Sequence, residues 1–178
     1  MRAAASALTE TERAGSDRAL FQRFLCLPSV RQAGTLLLFY GVGQEPATEA
    51  LFAPLWRQGK RICLPRCLPH RQMEARMVES PEDLTPGVWG IPEPGEHCPK
   101  VGREALDLIL APALCYDRRC RRLGQGGGYY DRYLQNFRGV TVGLCRDRLL
   151  AEQIPVEPHD LSVDLVLTET DMFRRPVR

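Results

Sequence analysis

Short, unbroken apolar runs separated by helical patterns constrain this chain more than any other feature. Thr35, Leu36, Leu37, Leu38, Phe39 and Tyr40 follow one another without polar alternation, and further strands are expected at 60–64, 73–78, 106–111, 140–144 and 163–167. A strand with one wet face alternates, whereas a strand covered on both faces by helices reads as a continuous apolar run. The segments between them carry helix signals. Thr9 and Glu12 have capping-box spacing, and Leu20, Phe21, Phe24 and Leu25 then recur on one helical face until Leu27-Pro28. Thr48 can cap a second helix running to Trp56 with Gly59 as its stop, and Pro54 inside it predicts a kink or broken turn. A third helical pattern spans 129–137. Strands alternating with helices predict an α/β fold, a three-layer sandwich in which a mostly parallel sheet carries helices on both faces. The strand at 73–78 is expected near an edge, and the Pro- and Gly-rich stretch 80–100 as a long irregular loop of the kind that binds something.

One domain over 1–178 fits a chain of 178 residues that is 44% hydrophobic. Its 24 basic and 22 acidic residues leave a net charge of only +2, which gives no bulk electrostatic reason to bind nucleic acid. No run approaches the roughly 20 apolar residues of a bilayer crossing, and the start of the chain lacks the apolar core of a secretory signal. The seven cysteines include no C-x-x-C pair. Cys67 with His70 and His97 with Cys98 are imaginable ligand pairs, but with three histidines in all the spacing supports neither a disulfide framework nor a structural zinc site. Reduced thiols in a cytoplasmic, monomeric protein are expected.

Chemistry concentrates in Arg122-Leu123-Gly124-Gln125-Gly126-Gly127-Gly128-Tyr129-Tyr130-Asp131, which places four glycines in five positions. Such clusters more often build surface turns. Here, however, three consecutive glycines give up about 0.5–1 kcal/mol each in backbone entropy, which a close approach to a ligand would offset. An apolar strand lies upstream and a helix follows, so the loop falls where α/β sheets bind ligands and where backbone N–H groups can meet an anion. A Walker A loop is excluded because no Lys follows the glycines, and a dinucleotide fingerprint because Tyr129 fills the third glycine slot.

Taken with Pro112 and Asp117, this block resembles the signature of the 5-formyltetrahydrofolate cyclo-ligase (methenyltetrahydrofolate synthetase) family. Gln44-Glu45-Pro46-Ala47-Thr48-Glu49, Gly59-Lys60, Leu64-Pro65-Arg66, Trp89-Gly90-Ile91-Pro92-Glu93-Pro94 and Pro155 to Asp160 with Asp164 resemble its other segments in the same order. The resemblance implies an ATP- and magnesium-dependent ring closure of 5-formyltetrahydrofolate to 5,10-methenyltetrahydrofolate, with ADP and phosphate released. It implies that Arg122, Leu123, Gly124, Gln125, Gly126, Gly127, Gly128, Tyr129 and Tyr130 hold ATP, and that Asp131 and Asp160 ligate Mg2+. The folate would meet Glu45 together with Gly126, Gly127, Gly128, Tyr129 and Tyr130. Tyr40 and Trp89 are candidate walls for its flat pteridine.

Blander readings stand beside these: Asp160 as a turn acid after Pro158-His159, Glu45 as a loop acid near a helix start, Tyr40 and Trp89 as ordinary core. Cys120 stands where relatives have glycine before Arg-Leu-Gly, Ala113 where they have glycine after Pro112, and Cys67 where they often have an aromatic. Their basic segment ahead of the first helix has no counterpart, so residues 1–8 are expected to be a shortened or poorly ordered start. The alternative is then a non-catalytic folate- or nucleotide-binding relative. Another phosphate-handling α/β enzyme would need a base or nucleophile that the sequence does not show.

Overall fold

The computed structural model describes residues 7–155, 157 and 160–176. Eight strands form one sheet. In chain order they are β1 (Thr35–Leu37), β2 (Arg61–Leu68), β3 (Gln72–Val78), β6 (Lys100–Val101), β7 (Leu108–Ala111), β10 (Val140–Leu144), β11 (Leu165–Leu167) and β12 (Met172–Arg174). Across the sheet the order is β12-β11-β10-β7-β1-β2-β3-β6. The central strands from β11 to β2 pair in parallel, while β12, β3 and β6 add antiparallel edges. Two small hairpins lie outside it: β4 (Leu84–Pro86) with β5 (Pro92–Pro94), and β8 (Cys115–Tyr116) with β9 (Arg122–Leu123).

Continuous apolar strands become two cores because successive side chains point to opposite faces. Leu36, Leu108, Leu110 and Val142 belong to one face, packed by Leu20, Phe21 and Phe24 of helix α1 (Glu10–Cys26), by Val30 of α2 (Pro28–Gln32), and by Phe52 and Leu55 of α3 (Phe52–Arg57). Leu37, Cys63, Ile109, Ala111 and Val166 face the other way, against Tyr116, Cys120, Leu149 and Leu134 of helix α4 (Tyr129–Leu134). Each fully buried Leu or Phe contributes about 1.5–3 kcal/mol of transfer free energy, so both layers are fixed by the apolar pattern.

Local signals account for the boundaries. Thr9 caps α1 through a reciprocal box with Glu12, whose carboxylate accepts from the Thr9 amide at 2.8 Å. The buried Lys60 ammonium donates to the carbonyls of Arg31 and Ala33 at 2.9 and 2.7 Å, satisfying oxygens that α2 leaves open at its end. The Asp107 carboxylate accepts from the Gly34 and Thr35 amides at 2.8 and 2.9 Å, pinning the start of β1 beside β7.

Several expected bounds shift. The helix expected from Thr48 to Trp56 splits into a 3-10 turn, Thr48–Leu51, and α3. Pro54 sits in the first turn of α3, where a missing N–H loses no helical bond. Instead of capping a helix, the Thr48 hydroxyl donates to the Phe39 carbonyl and accepts from the Gly41 amide at 3.0 Å. The stretch 80–100, expected to be irregular, contains the β4–β5 hairpin, and β12 extends the sheet beyond the last expected strand.

Candidate active site at the switch in strand order

From β1 the chain moves to β2 on one side, yet its later return through β7 lands on the other side of β1. The loops leaving β1 and β7 therefore diverge, opening a crevice outside the carboxyl ends of these strands, the position where open α/β sheets bind ligands. The loop after β1 carries Glu45, and the chain after β7 runs through the β8–β9 hairpin into the glycine loop.

The hairpin is organised by Asp117, whose side chain is fully buried. Its oxygens accept from the amides of Arg119, Arg121 and Ile154 at 2.9, 3.0 and 3.1 Å, and from the Arg121 guanidinium at 2.7 Å. Four charge-assisted bonds compensate the burial of this carboxylate and set the turn that leads into β9. Cys120 completes the turn at φ 62°, a left-handed conformation that favours glycine. Tyr116 lies under the hairpin, its hydroxyl donating to the Ala111 carbonyl at 2.6 Å and its ring against Gly143, where a Cβ would collide.

At the end of the hairpin the Arg122 guanidinium, with only 6% of its side chain exposed, is ion-paired to Asp131 in the first turn of α4. The ion pair closes the base of the glycine loop. Between these residues Gly126 (φ 85°) and Gly128 (φ 66°) occupy backbone conformations that a side chain would strain. Gly128 is also the N-cap of α4 and supplies no side-chain cap to the first amides of that helix. A Cβ built on Gly126 would meet nothing within 4 Å, so the loop there faces open space.

Across the crevice Gln125 donates from its amide to Glu45 Oε1 at 3.1 Å, while the Val42 amide donates to Glu45 Oε2 at 3.2 Å. Burial holds the Glu45 carboxyl above its ordinary range, against the opposing pull of these bonds. The loop carrying Glu45 folds back so closely that a Cβ on Gly41 would strike the Pro46 carbonyl. The Tyr130 hydroxyl is buried with no hydrogen-bond partner, and burial first, then the charge of Glu45, pushes its pKa up. Arg122 Nε is likewise buried and unpartnered. Leaving such donors unpaired costs on the order of 1–3 kcal/mol each, so a ligand that accepts from them recovers that penalty.

Other expected site residues fall into place unevenly. Trp89, 75% exposed, meets the Tyr129 ring edge-on with centroids 6.3 Å apart, which joins the β4–β5 hairpin to the glycine loop. Tyr40 instead leans on Phe52 at 6.4 Å and packs against the first core. The Asp160 carboxylate accepts from the Glu157 amide at 2.7 Å, and the neighbouring Leu161 amide donates to Asp131 Oδ1 at 3.4 Å. This contact sets the segment of Asp160 beside Asp131. The turn expected at Pro158-His159, like residues 1–6 of the expected poorly ordered start, lies outside the described residues. Within the same expected start Leu8 is buried, and its carbonyl accepts from Arg13 at 3.0 Å.

These groups fit a polyphosphate with a hard cation: an orphan guanidinium nitrogen, a glycine backbone open at Gly126, and the Asp131 carboxylate bonded to the Leu161 amide next to Asp160. Sequence reasoning assigned no role to Asp117 or to the Gln125–Glu45 contact. Asp117 stands within the signature block but its burial has no sequence signal, and Gln125 is 80 residues from its partner.

A family model described as the 5-formyltetrahydrofolate cyclo-ligase family matches residues 1–169. The 5-formyltetrahydrofolate cyclo-ligase of Mus musculus is 33% identical, the match covering 92% of this chain and 87% of that protein. The 5-formyltetrahydrofolate cyclo-ligase of Escherichia coli K12 is 31% identical over 94% of this chain and 95% of its own. Among solved structures, the 5,10-methenyltetrahydrofolate synthetase of Aquifex aeolicus superposes with a TM-score of 0.85 at 30% identity, covering 96% of this chain and 87% of that one.

Proposed function

The chain belongs to the 5-formyltetrahydrofolate cyclo-ligase family, and from that premise we propose that it uses ATP and Mg2+ to convert 5-formyltetrahydrofolate to 5,10-methenyltetrahydrofolate, releasing ADP and phosphate. The observation that carries this reading is the Gln125–Glu45 hydrogen bond, which ties the glycine loop to the loop after β1 across one crevice. Two substrates that must react with each other need such adjacent cradles.

The chemistry explains the residue types. A formamide carbon is a poor electrophile because its nitrogen lone pair is delocalised. Transfer of the γ-phosphoryl group to the formyl oxygen turns that oxygen into a leaving group, N10 of the folate forms the new C–N bond, and the oxygen departs with phosphate. Positioning and charge neutralisation suffice, and no protein nucleophile is required. Arg122 would present its unpartnered Nε to the polyphosphate, with the backbone of Gly124, Gln125, Gly126, Gly127, Gly128 and Tyr129 around it. Asp131 and Asp160 would hold Mg2+, which when bound offsets the charge on the transferred group.

The Tyr130 hydroxyl, kept neutral by burial, would serve as a hydrogen-bond donor inside the crevice. Glu45, with its carboxyl raised by burial, would anchor the folate, and Trp89 with Tyr129 would offer an aromatic wall to the pteridine. A monomeric cytoplasmic enzyme is the proposed form; all seven cysteines are free thiols, as a reducing compartment keeps them. No helix among the described residues is long and apolar enough to cross a membrane.

The test is the appearance of the methenyl chromophore in the near ultraviolet on mixing protein with 5-formyltetrahydrofolate, ATP and Mg2+. Growth that requires ATP supports the reading, and its absence with folded protein overturns it.

A further inference from the structure

The geometry points to a second cation site, remote in sequence from the glycine loop, in which Asp83, His97 and Cys98 bind a thiophilic divalent ion of the zinc class. The three side chains bring one ligand atom each to within 4.8 Å of one another. His97 Nε2 lies 3.2 Å from Asp83 Oδ1 and 3.6 Å from Cys98 Sγ. Zinc bonds to imidazole, carboxylate and thiolate of about 2.0–2.3 Å, arranged tetrahedrally, separate such ligand atoms by roughly 3.3–3.6 Å. The spacings from His97 Nε2 to Asp83 Oδ1 and to Cys98 Sγ therefore match two edges of a coordination tetrahedron, and the Asp83 and Cys98 ligand atoms lie within 4.8 Å of each other.

A nucleophilic relay is the competing reading of a Cys-His-Asp group, and the geometry rejects it. A relay uses the two imidazole nitrogens separately, one toward the thiol and one toward the carboxylate. Here both neighbours approach the same atom, Nε2, while Nδ1 stands over Gly95, where a Cβ would come within 2.6 Å of it. Convergence on one point suits a cation. A bound metal ion would displace the Cys98 thiol proton to solvent as the sulfur–metal bond forms.

The surroundings are built to keep the ligands in place. Arg76 Nη1 donates to the carbonyls of Gly95, Glu96 and Cys98 at 3.3, 2.6 and 3.1 Å, clamping the turn that carries His97 and Cys98. The second oxygen of Asp83 accepts from the Glu79 and Ser80 amides at 2.7 and 3.1 Å, which fixes the carboxylate. Asp83 precedes β4 and Cys98 precedes β6, so a bound ion would staple both ends of the β4–β5 hairpin. That hairpin presents Trp89 to Tyr129, and occupancy would set the rigidity of the proposed folate wall.

The experiment is titration of the reduced, chelator-treated full chain with Co2+, read by the sulfur-to-cobalt charge-transfer band and the visible bands of tetrahedral cobalt, followed by displacement with Zn2+. One equivalent of Co2+ is expected to bind, and His97→Gln and Cys98→Ser are each expected to weaken binding by at least about tenfold. The His97 side chain is 62% exposed, so H97Q keeps the fold and decides the matter should C98S not fold. Absence of the bands with folded protein overturns the proposal. So do bands unchanged in H97Q, which would assign the cobalt to other thiols.

Discussion

Arg122, at the end of the β8–β9 hairpin, and Asp131, in the first turn of α4, form an ion pair that closes the glycine loop at its base. Read from the sequence, the two residues were expected to serve a nucleotide separately, one as cation and one as metal ligand. In the fold they also hold each other.

The pair therefore has a structural consequence as well as a chemical one. Asp131→Asn would leave the Arg122 guanidinium, whose side chain is 6% exposed, without its counter-charge. A loss of about 3 kcal/mol in unfolding free energy is expected, together with a raised Mg2+ requirement. A double-mutant cycle with Arg122→Ala, followed by urea unfolding, should show a coupling of roughly 1–3 kcal/mol. Additive losses would show that the pair is incidental.

Trp89 separates binding from stability. Because its side chain is largely exposed, Trp89→Ala should shift unfolding by no more than about 0.5 kcal/mol. Losing an aromatic wall worth about 0.5–1.5 kcal/mol should raise the KM for the folate roughly 2- to 12-fold with kcat nearly unchanged. Steady-state kinetics with the folate varied at saturating ATP measure this directly.

Glu45 gives a pH signature. Its carboxyl is raised above the ordinary 4.5 in the folded protein, so the folded state binds more protons than the unfolded chain. The stability that Glu45 contributes is present below 4.5 and is lost as pH rises through the folded-state value. Glu45→Gln should remove this component, making the variant gain relative to the parent as pH increases through that window. Urea midpoints collected across the acidic range would reveal it, and parallel profiles would contradict it.

Cys120 lies in a left-handed turn while its side chain is buried, with Sγ 3.5 Å from the Phe173 carbonyl. Cys120→Ala and Cys120→Gly both delete the thiol, but only glycine relaxes the backbone. After allowing for its extra freedom when unfolded, the glycine variant should be more stable than the alanine variant by about 0.5–1 kcal/mol. A glycine variant less stable than the alanine variant by about 0.4–1 kcal/mol would mean that the turn carries no strain.

Much of the architecture was legible in the chain. The unalternating run at Leu36, Leu37 and Leu38 demanded a strand covered on both faces, and these three residues are completely buried between two layers. Thr9 and Glu12 announced the first helix because a capping box is local chemistry within four residues. The glycine block and its resemblance to cyclo-ligases marked the loop, and the family assignment agrees. The β4–β5 hairpin was not legible, since its strands of three residues are too short and Pro-rich to show a period.

By itself, then, the sequence determined the layered α/β plan, the family and the position of the glycine loop, because hydrophobic period, caps and glycine spacing act between near neighbours in the chain. Only the tertiary structure decided which distant groups meet. Gln125 reaches Glu45, Arg122 takes Asp131 rather than solvent, and Asp83 joins His97 and Cys98 from 14 and 15 residues away. Such meetings depend on strand order, on the direction in which each loop leaves the sheet and on what is buried once the layers pack. These are properties of the assembled fold that no local pattern encodes.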